Sequence, residues 1–246
     1  MPYFIRHFNK TLLLATFLGF VSIEGCFSQG ELDNETKEFY RNEKTLALEA
    51  NSQGWGFGVR YGKRQDGFRK KLYEISFTTV RHPQEIKLSG QGGRFVYGKL
   101  NNLYSLQAMI GRQKEHYGKF DKGGVAIRSV IAAGISAAIV KPYYYIVFDK
   151  DGKKTSAQYN LDNTDIYARA PYFYGIGNTY LSPGICARSA VNFEFGRSDK
   201  KIQALELGIA AHAYAQEIRL MATEDSRFWY VNLFIAYRFG KITGKK

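Results

Sequence analysis

The chain has 246 residues and a formal net charge of +13, from 35 Lys+Arg against 22 Asp+Glu. Apolar residues at 45% and aromatics at 15% exclude a disordered chain, and two Cys cannot staple a disulfide scaffold or build a zinc ribbon. A mean hydropathy of −0.32, with no mature run of about 20 apolar residues, excludes a bundle of membrane-spanning helices.

In chain order, the first element is an export signal. Arg6, His7 and Lys10 precede the apolar run Thr11 to Ile23, which is too short to span a bilayer but suits the core of a secretory signal over residues 1–28. Small residues at Cys26 and Ser28 place cleavage between Ser28 and Gln29. A lipoprotein reading of Cys26 is disfavoured by the charged Glu24 two residues before it. Cleavage removes Arg6, Lys10 and Glu24, which leaves +12 (13 − 2 + 1), and removes Cys26, so that Cys186 stands alone. Residues 29–43 form a polar leader and 242–246 a basic tail.

Between them, over 44–241, the dominant period is two. Trp55, Phe57, Val59 and Tyr61 share one face, with Gly54, Gly56, Gly58 and Arg60 on the other. Tyr73, Ile75 and Phe77 alternate with Glu74, Ser76 and Thr78. Tyr104, Leu106, Ala108 and Ile110 alternate with Ser105, Gln107 and Met109, and Val191, Phe193 and Phe195 with Asn192, Glu194 and Gly196. Trp229, Val231, Leu233, Ile235, Tyr237 and Phe239 close the series. The segments around Ile127–Ile139 and Ile202–Ile218 fit helical spacing as well as strand spacing, and consistency with their neighbours favours strands.

A soluble sandwich turns such apolar faces inward; a membrane barrel turns them out to lipid. Aromatics near the strand ends, Gly-rich polar faces with few Lys, and cations gathered in turns favour the barrel. The expectation is therefore an all-β chain, a single antiparallel transmembrane β-barrel of eight or ten strands. The eight are 53–63, 70–80, 93–113, 123–140, 143–149, 185–197, 201–214 and 228–239. Ten result if Thr45 to Ala50 is a strand and 93–113 breaks at Asn101-Asn102. The eight-strand count makes Lys141-Pro142 and Ser198 to Lys201 periplasmic turns, and 64–69, 114–122, 150–184 and 215–227 outer loops. It leaves 82–93 longer than a periplasmic turn should be. The 150–184 segment either projects outward or plugs the barrel.

Parity points Arg60, Glu74, Arg128, Glu194, Glu206, His212 and Arg238 into the lumen. His212 with Glu206 or Glu194 is the one base with a carboxylate in prospect, and no Gly-x-Ser-x-Gly elbow accompanies it. Cross-paired Arg and Glu filling a narrow interior is the favoured account, with no catalytic residue. His82 and His116 are isolated, and no spacing suits a metal. Asp149-Lys150-Asp151-Gly152 lacks the ligands that a calcium loop needs next, and no cofactor is expected. The densest basic cluster is Lys63, Arg64, Arg69, Lys70 and Lys71, and export makes nucleic acid an unsuitable partner. Outer-leaflet glycolipid phosphates would attract loops of that kind.

The signal ending Phe27-Ser28-Gln29, the phrases NSQGWGFGVRYGK (51–63), YGKLNNLYSLQAMIGRQ (97–113) and VKPYYYIVF (140–148), and the closing LFIAYRFGK (233–241) resemble small outer-membrane β-barrel proteins of the Bacteroidota type. That resemblance implies an envelope component without enzymatic activity, in contact with outer-membrane lipid and with protein partners. A narrow channel for small solutes is the alternative, and a lipid-modifying enzyme using His212 a third.

Overall fold

A computed structural model describes residues 41–83, 85–120, 123–148, 152–159, 166–197, 201–223 and 226–244. The expected signal and most of the leader, with Cys26, lie outside these residues, as does most of the Asp149–Gly152 turn. The strands are β1 (Arg41–Asn51), β2 (Gly54–Arg64), β3 (Arg69–Val80), β4 (Lys87–Gly90), β5 (Gly93–Val96), β6 (Asn101–Tyr117) and β7 (Ala126–Pro142). They continue as β8 (Tyr144–Phe148), β9 (Lys154–Gln158), β10 (Ile166–Arg169), β11 (Tyr180–Glu194), β12 (Lys201–Ile218) and β13 (Arg227–Gly244). Eight of them close on themselves in the order β1-β13-β12-β11-β7-β6-β3-β2. Every neighbouring pair is antiparallel, and the closure runs from Arg41↔Gly244 to Asn51↔Phe234. The barrel thus reaches residues 41 and 244, taking in the last part of the expected leader and the first part of the expected tail.

The period-two pattern has a direct physical cause. Each barrel residue faces either lipid or lumen, so a one-residue slip would put a whole row into the wrong solvent. Val59, Ile75, Ile110, Ile135, Ile185 and Leu233 are all exposed on the outer wall, while Arg60, Glu74, Ser105, Gln107, Glu206 and Asn232 are buried inside. Both segments that also suited a helix are strands of this wall.

The count of eight stands, with different members. Residues 45–50 belong to β1, a full barrel strand. Residues 143–149 contribute β8, the centre of a three-stranded sheet β10-β8-β9 outside the barrel, and 93–96 forms β5, paired with β4. Adding one strand at the start and removing one in the middle inverts the sidedness of everything between. The end that holds the termini carries the connections 65–68, 118–125 and 195–200; the opposite end carries 52–53, 81–100, 143–179 and 219–226. Long loops face outward in barrels of this kind. Hence 64–69 and 114–122 are periplasmic rather than outer, and Lys141-Pro142 sits at the outer rim rather than in a periplasmic turn. The 81–100 stretch, too long for the periplasmic side, is an outer loop.

The two long outer loops fold together into a cap. The Gly92 N–H donates to the Tyr167 carbonyl at 3.0 Å. Phe95, Tyr143, Tyr145 and Val147 form an apolar cluster, with Phe95 and Tyr145 rings edge to face at 6.1 Å. The Tyr145 hydroxyl accepts the Lys99 N–H at 2.8 Å. Burial pushes the Tyr145 phenol above its ordinary range.

Candidate functional site

The lumen is built in layers, each from inward rows of several strands. Nearest the outer mouth, Val80, Leu103, Val140, Tyr214, Met221 and Tyr230 pack into one apolar cluster across the bore. Below it lies a hydroxyl and amide layer. Gln107 donates to Thr78 Oγ1 at 2.9 Å and accepts from Ser76 at 3.2 Å, and Tyr214 donates to Ser105 at 2.9 Å.

An ionic layer comes next. Arg60 of β2 donates from Nε to Glu74 of β3 at 2.7 Å and forks onto both oxygens of Glu206 on β12 at 2.8 and 2.9 Å. Arg238 of β13 reaches Glu206 and Glu74, both at 3.2 Å, and Thr45 at 3.3 Å. Arg188 of β11 reaches Glu49 of β1 at 2.6 Å and Glu74 at 3.3 Å, and its guanidinium lies 4.3 Å from the centre of the Phe234 ring. Three arginines and three glutamates cancel, and all six side chains are shielded from water. Bidentate, charge-assisted bonds of this kind are what offset the cost of desolvating buried charges. Gly58 leaves room for them: a Cβ there would stand 3.0 Å from the Ser76 Cβ and 3.4 Å from Glu74 Oε1.

A second apolar cluster, Ala47, Leu72, Val130, Ala190, Ala210 and Phe234, is interleaved with these charges. Leu72 lies on the periplasmic side of Glu74, whereas Ala210 and Phe234 lie towards the outer mouth from Glu206 and Arg238 on the same strands. A last charged layer follows. Lys70 binds Glu43 at 2.5 Å, Arg128 binds Glu115 at 2.9 Å and also Glu194, and Lys119 binds Glu194 at 2.9 Å.

Of the residues that parity turned inward, Arg60, Glu74, Glu206 and Arg238 meet in the central network, whereas Arg128 and Glu194 pair in the periplasmic layer. His212 stands apart. It pairs in register with Cys186 and Tyr230, stacks on Tyr214 at 6.4 Å, and neither ring nitrogen has a hydrogen-bond partner among the described residues. Glu206 is held by Arg60 and Arg238, and Glu194 by Arg128 and Lys119, so neither carboxylate orients the imidazole. Arg188 and Glu49 complete the network without having been singled out in the sequence. Their signal was available, since Arg188 shares the row of Asn192 and Glu194, and Glu49 that of Thr45.

The basic cluster divides. Lys70 points inward to Glu43, while Lys63 and Arg69 are exposed and Lys71 lies over the Tyr73 ring at 5.4 Å. Arg64 donates from Nε to the Asp66 carbonyl at 3.0 Å. All five sit at the periplasmic end, so this cluster cannot meet outer-leaflet glycolipid. Lys63 faces Lys71 and Lys71 faces Arg112 in register, and Lys44 and Lys201 both face Lys241. These outward cations form a partial ring around the periplasmic end of the barrel.

A closed eight-stranded barrel, apolar on the outside and ion-paired within, is a transmembrane β-barrel of the outer-membrane type. No family model matches the chain, and no curated protein matches it. Among solved structures it is similar to Ail, the attachment invasion locus protein of Yersinia pestis, in complex with the heparin analogue sucrose octasulfate. That likeness has 7% identity, a TM-score of 0.39, and covers 83% of this chain and 99% of that one. Neisserial surface protein A is similar at 10% identity and a TM-score of 0.38, over 83% of this chain and 97% of that one. A major outer membrane protein from Thermus thermophilus is similar at 10% identity and a TM-score of 0.42, over 81% of this chain and 99% of that one.

Proposed function

We propose that this protein is a non-conducting barrel of the bacterial outer membrane, without enzymatic activity, whose role is structural or interaction-based. The observation that carries this reading is the filled lumen: an apolar cluster at the mouth, a hydroxyl and amide layer, a central ionic network interleaved with a second apolar cluster, and a charged layer at the base. Eight strands enclose only enough space for side chains, and here the arginines and glutamates of the ionic layers pair with one another. Two further features support it. The carboxylates that could have served His212 are committed to arginines, and the long outer loops fold into a cap that offers the envelope a defined contact surface. The natural partners of such a barrel are outer-membrane lipid and other proteins of the envelope.

Solute efflux tests the reading. Purified protein refolded into phosphatidylcholine vesicles should leave arabinose and chloride retained as in protein-free vesicles. Release above that background would favour the narrow-channel alternative instead.

A further inference from the structure

The interior charges are paired, but among the described residues two cations at the outer rim have no ion-pair partner. Lys141 ends β7 in the outward row, level with Asn102 of β6. The residue is 6% exposed, and the one hydrogen bond its ammonium makes among the described residues is a long 3.4 Å contact to the Tyr174 carbonyl. It lies 4.6 Å from the centre of the Tyr172 ring. The Arg169 guanidinium approaches the same ring at 5.5 Å, and the Tyr143 ring at 5.3 Å. Among the described residues no carboxylate is paired with either cation; the nearby acid, Glu85, is taken by Lys99 at 2.5 Å. Arg169 and Arg81 both add positive field at Lys99, whose ammonium burial already pushes below its ordinary range.

Two cations around one ring repel each other, and a cation–π contact worth about 0.5–2 kcal/mol does not replace the water that a buried ammonium has lost. Among the described residues nothing supplies the counter-charge, and an anion held here would relieve the repulsion.

The level of the site says which surroundings supply it. Tyr172 donates to the Tyr104 hydroxyl at 2.9 Å, which lays the 171–179 segment against the outer wall. Tyr104 heads the outward row that runs through Leu106 and Ile110 to Arg112. Tyr104 and Arg112 are therefore separated by about 26 Å along the strand, or about 20 Å along the membrane normal at a tilt near 40°. That is close to the roughly 25 Å apolar band of such barrels, which puts Arg112 at the inner headgroups and Tyr104, with Lys141 beside it, at the outer ones. Next to the cations Phe173 is 75% exposed, and Tyr172 and Ile176 are exposed with it. Aromatic faces pack on the C–H faces of sugar rings, and an arginine–lysine pair suits a phosphate.

We propose that Lys141, Arg169 and the Tyr172 ring form a site for the phosphorylated sugar headgroup of an outer-leaflet glycolipid. The proposal rests on the reading of the barrel as an interaction protein of the outer membrane. It names a partner and the surface that takes it.

The test is native mass spectrometry of the full barrel in detergent, titrated with bis-phosphorylated lipid A, with its dephosphorylated counterpart and with phosphatidylglycerol. The native protein should retain lipid A. Retention should weaken about tenfold in Lys141→Gln/Arg169→Gln, and by a similar factor when the probe lacks phosphate, whereas Lys63→Gln/Lys71→Gln at the periplasmic end should bind as the native protein does. Folding is verified by heat-modifiable migration on gels. Should the double variant not fold, the exposed Arg169→Gln alone and the dephosphorylated probe decide: each must weaken retention. Equal retention by the variants, equal retention of the dephosphorylated probe, or equal competition by phosphatidylglycerol would overturn the site. A leaky lumen would sink the reading of the barrel as sealed without altering lipid A retention, so the two failures are distinguishable.

Discussion

Charges inside the barrel and charges on its rims obey different rules. Arg60, Arg188 and Arg238 each hold a glutamate, whereas Lys63, Lys71, Arg112, Lys141 and Arg169 are ion-paired with no carboxylate among the described residues and lie by rings, carbonyls or one another. Inside, no solvent can supply a counter-ion, so the fold must bring its own. At the rims the surroundings supply phosphates, and like-charged neighbours that would oppose pairing in a soluble sheet are tolerated. The difference separates residues that serve the structure from residues that serve contact with lipid.

Substitutions can break or sharpen this contrast. Glu206→Gln strips the shared partner from Arg60 and Arg238 and should cost about 3–5 kcal/mol, read from urea unfolding in phosphatidylcholine vesicles. A loss below about 1 kcal/mol would mean that the network is decorative. Leu233→Arg places a charge on the lipid face, where it should cost about 2–4 kcal/mol in the same assay; a neutral result would contradict the assignment of that face. His212→Leu removes a buried imidazole that has no hydrogen-bond partner among the described residues. It should be within about 1 kcal/mol of neutral or stabilising, and a strong loss would reveal an interaction of that ring. The smallest effect is expected for Lys63→Gln/Lys71→Gln, whose urea midpoint should coincide with the native one; a shift would show that this part of the rim contributes to folding.

Much of the wall could be read from alternation, because lipid and lumen impose opposite chemistry on successive residues. Arg60, Glu74, Glu206 and Arg238 were placed inward on that basis, and the same parity reaches Arg188 and Glu49. Sidedness was harder. The period of two in Tyr143 to Phe148 reports half-burial, and a small sheet over the cap core at Phe95 and Tyr145 produces it as well as a membrane does. The first strand was easy to undervalue, since Leu46 and Leu48 are its only large apolar residues on the lipid side. Those two misassignments sent the basic cluster to the wrong leaflet. The meeting of Lys141, Arg169 and Tyr172 left no local trace, because it depends on how the 143–179 loop folds back on the wall. Nor does spacing say whether His212 finds Glu206 or loses it to an arginine.

If the lumen is closed by its own paired side chains, single-molecule conductance shows it most directly. Purified protein inserted in a planar bilayer in concentrated KCl should give no resolvable steps above the lipid baseline. Discrete, reproducible openings from folded, heat-modifiable protein would contradict a sealed barrel.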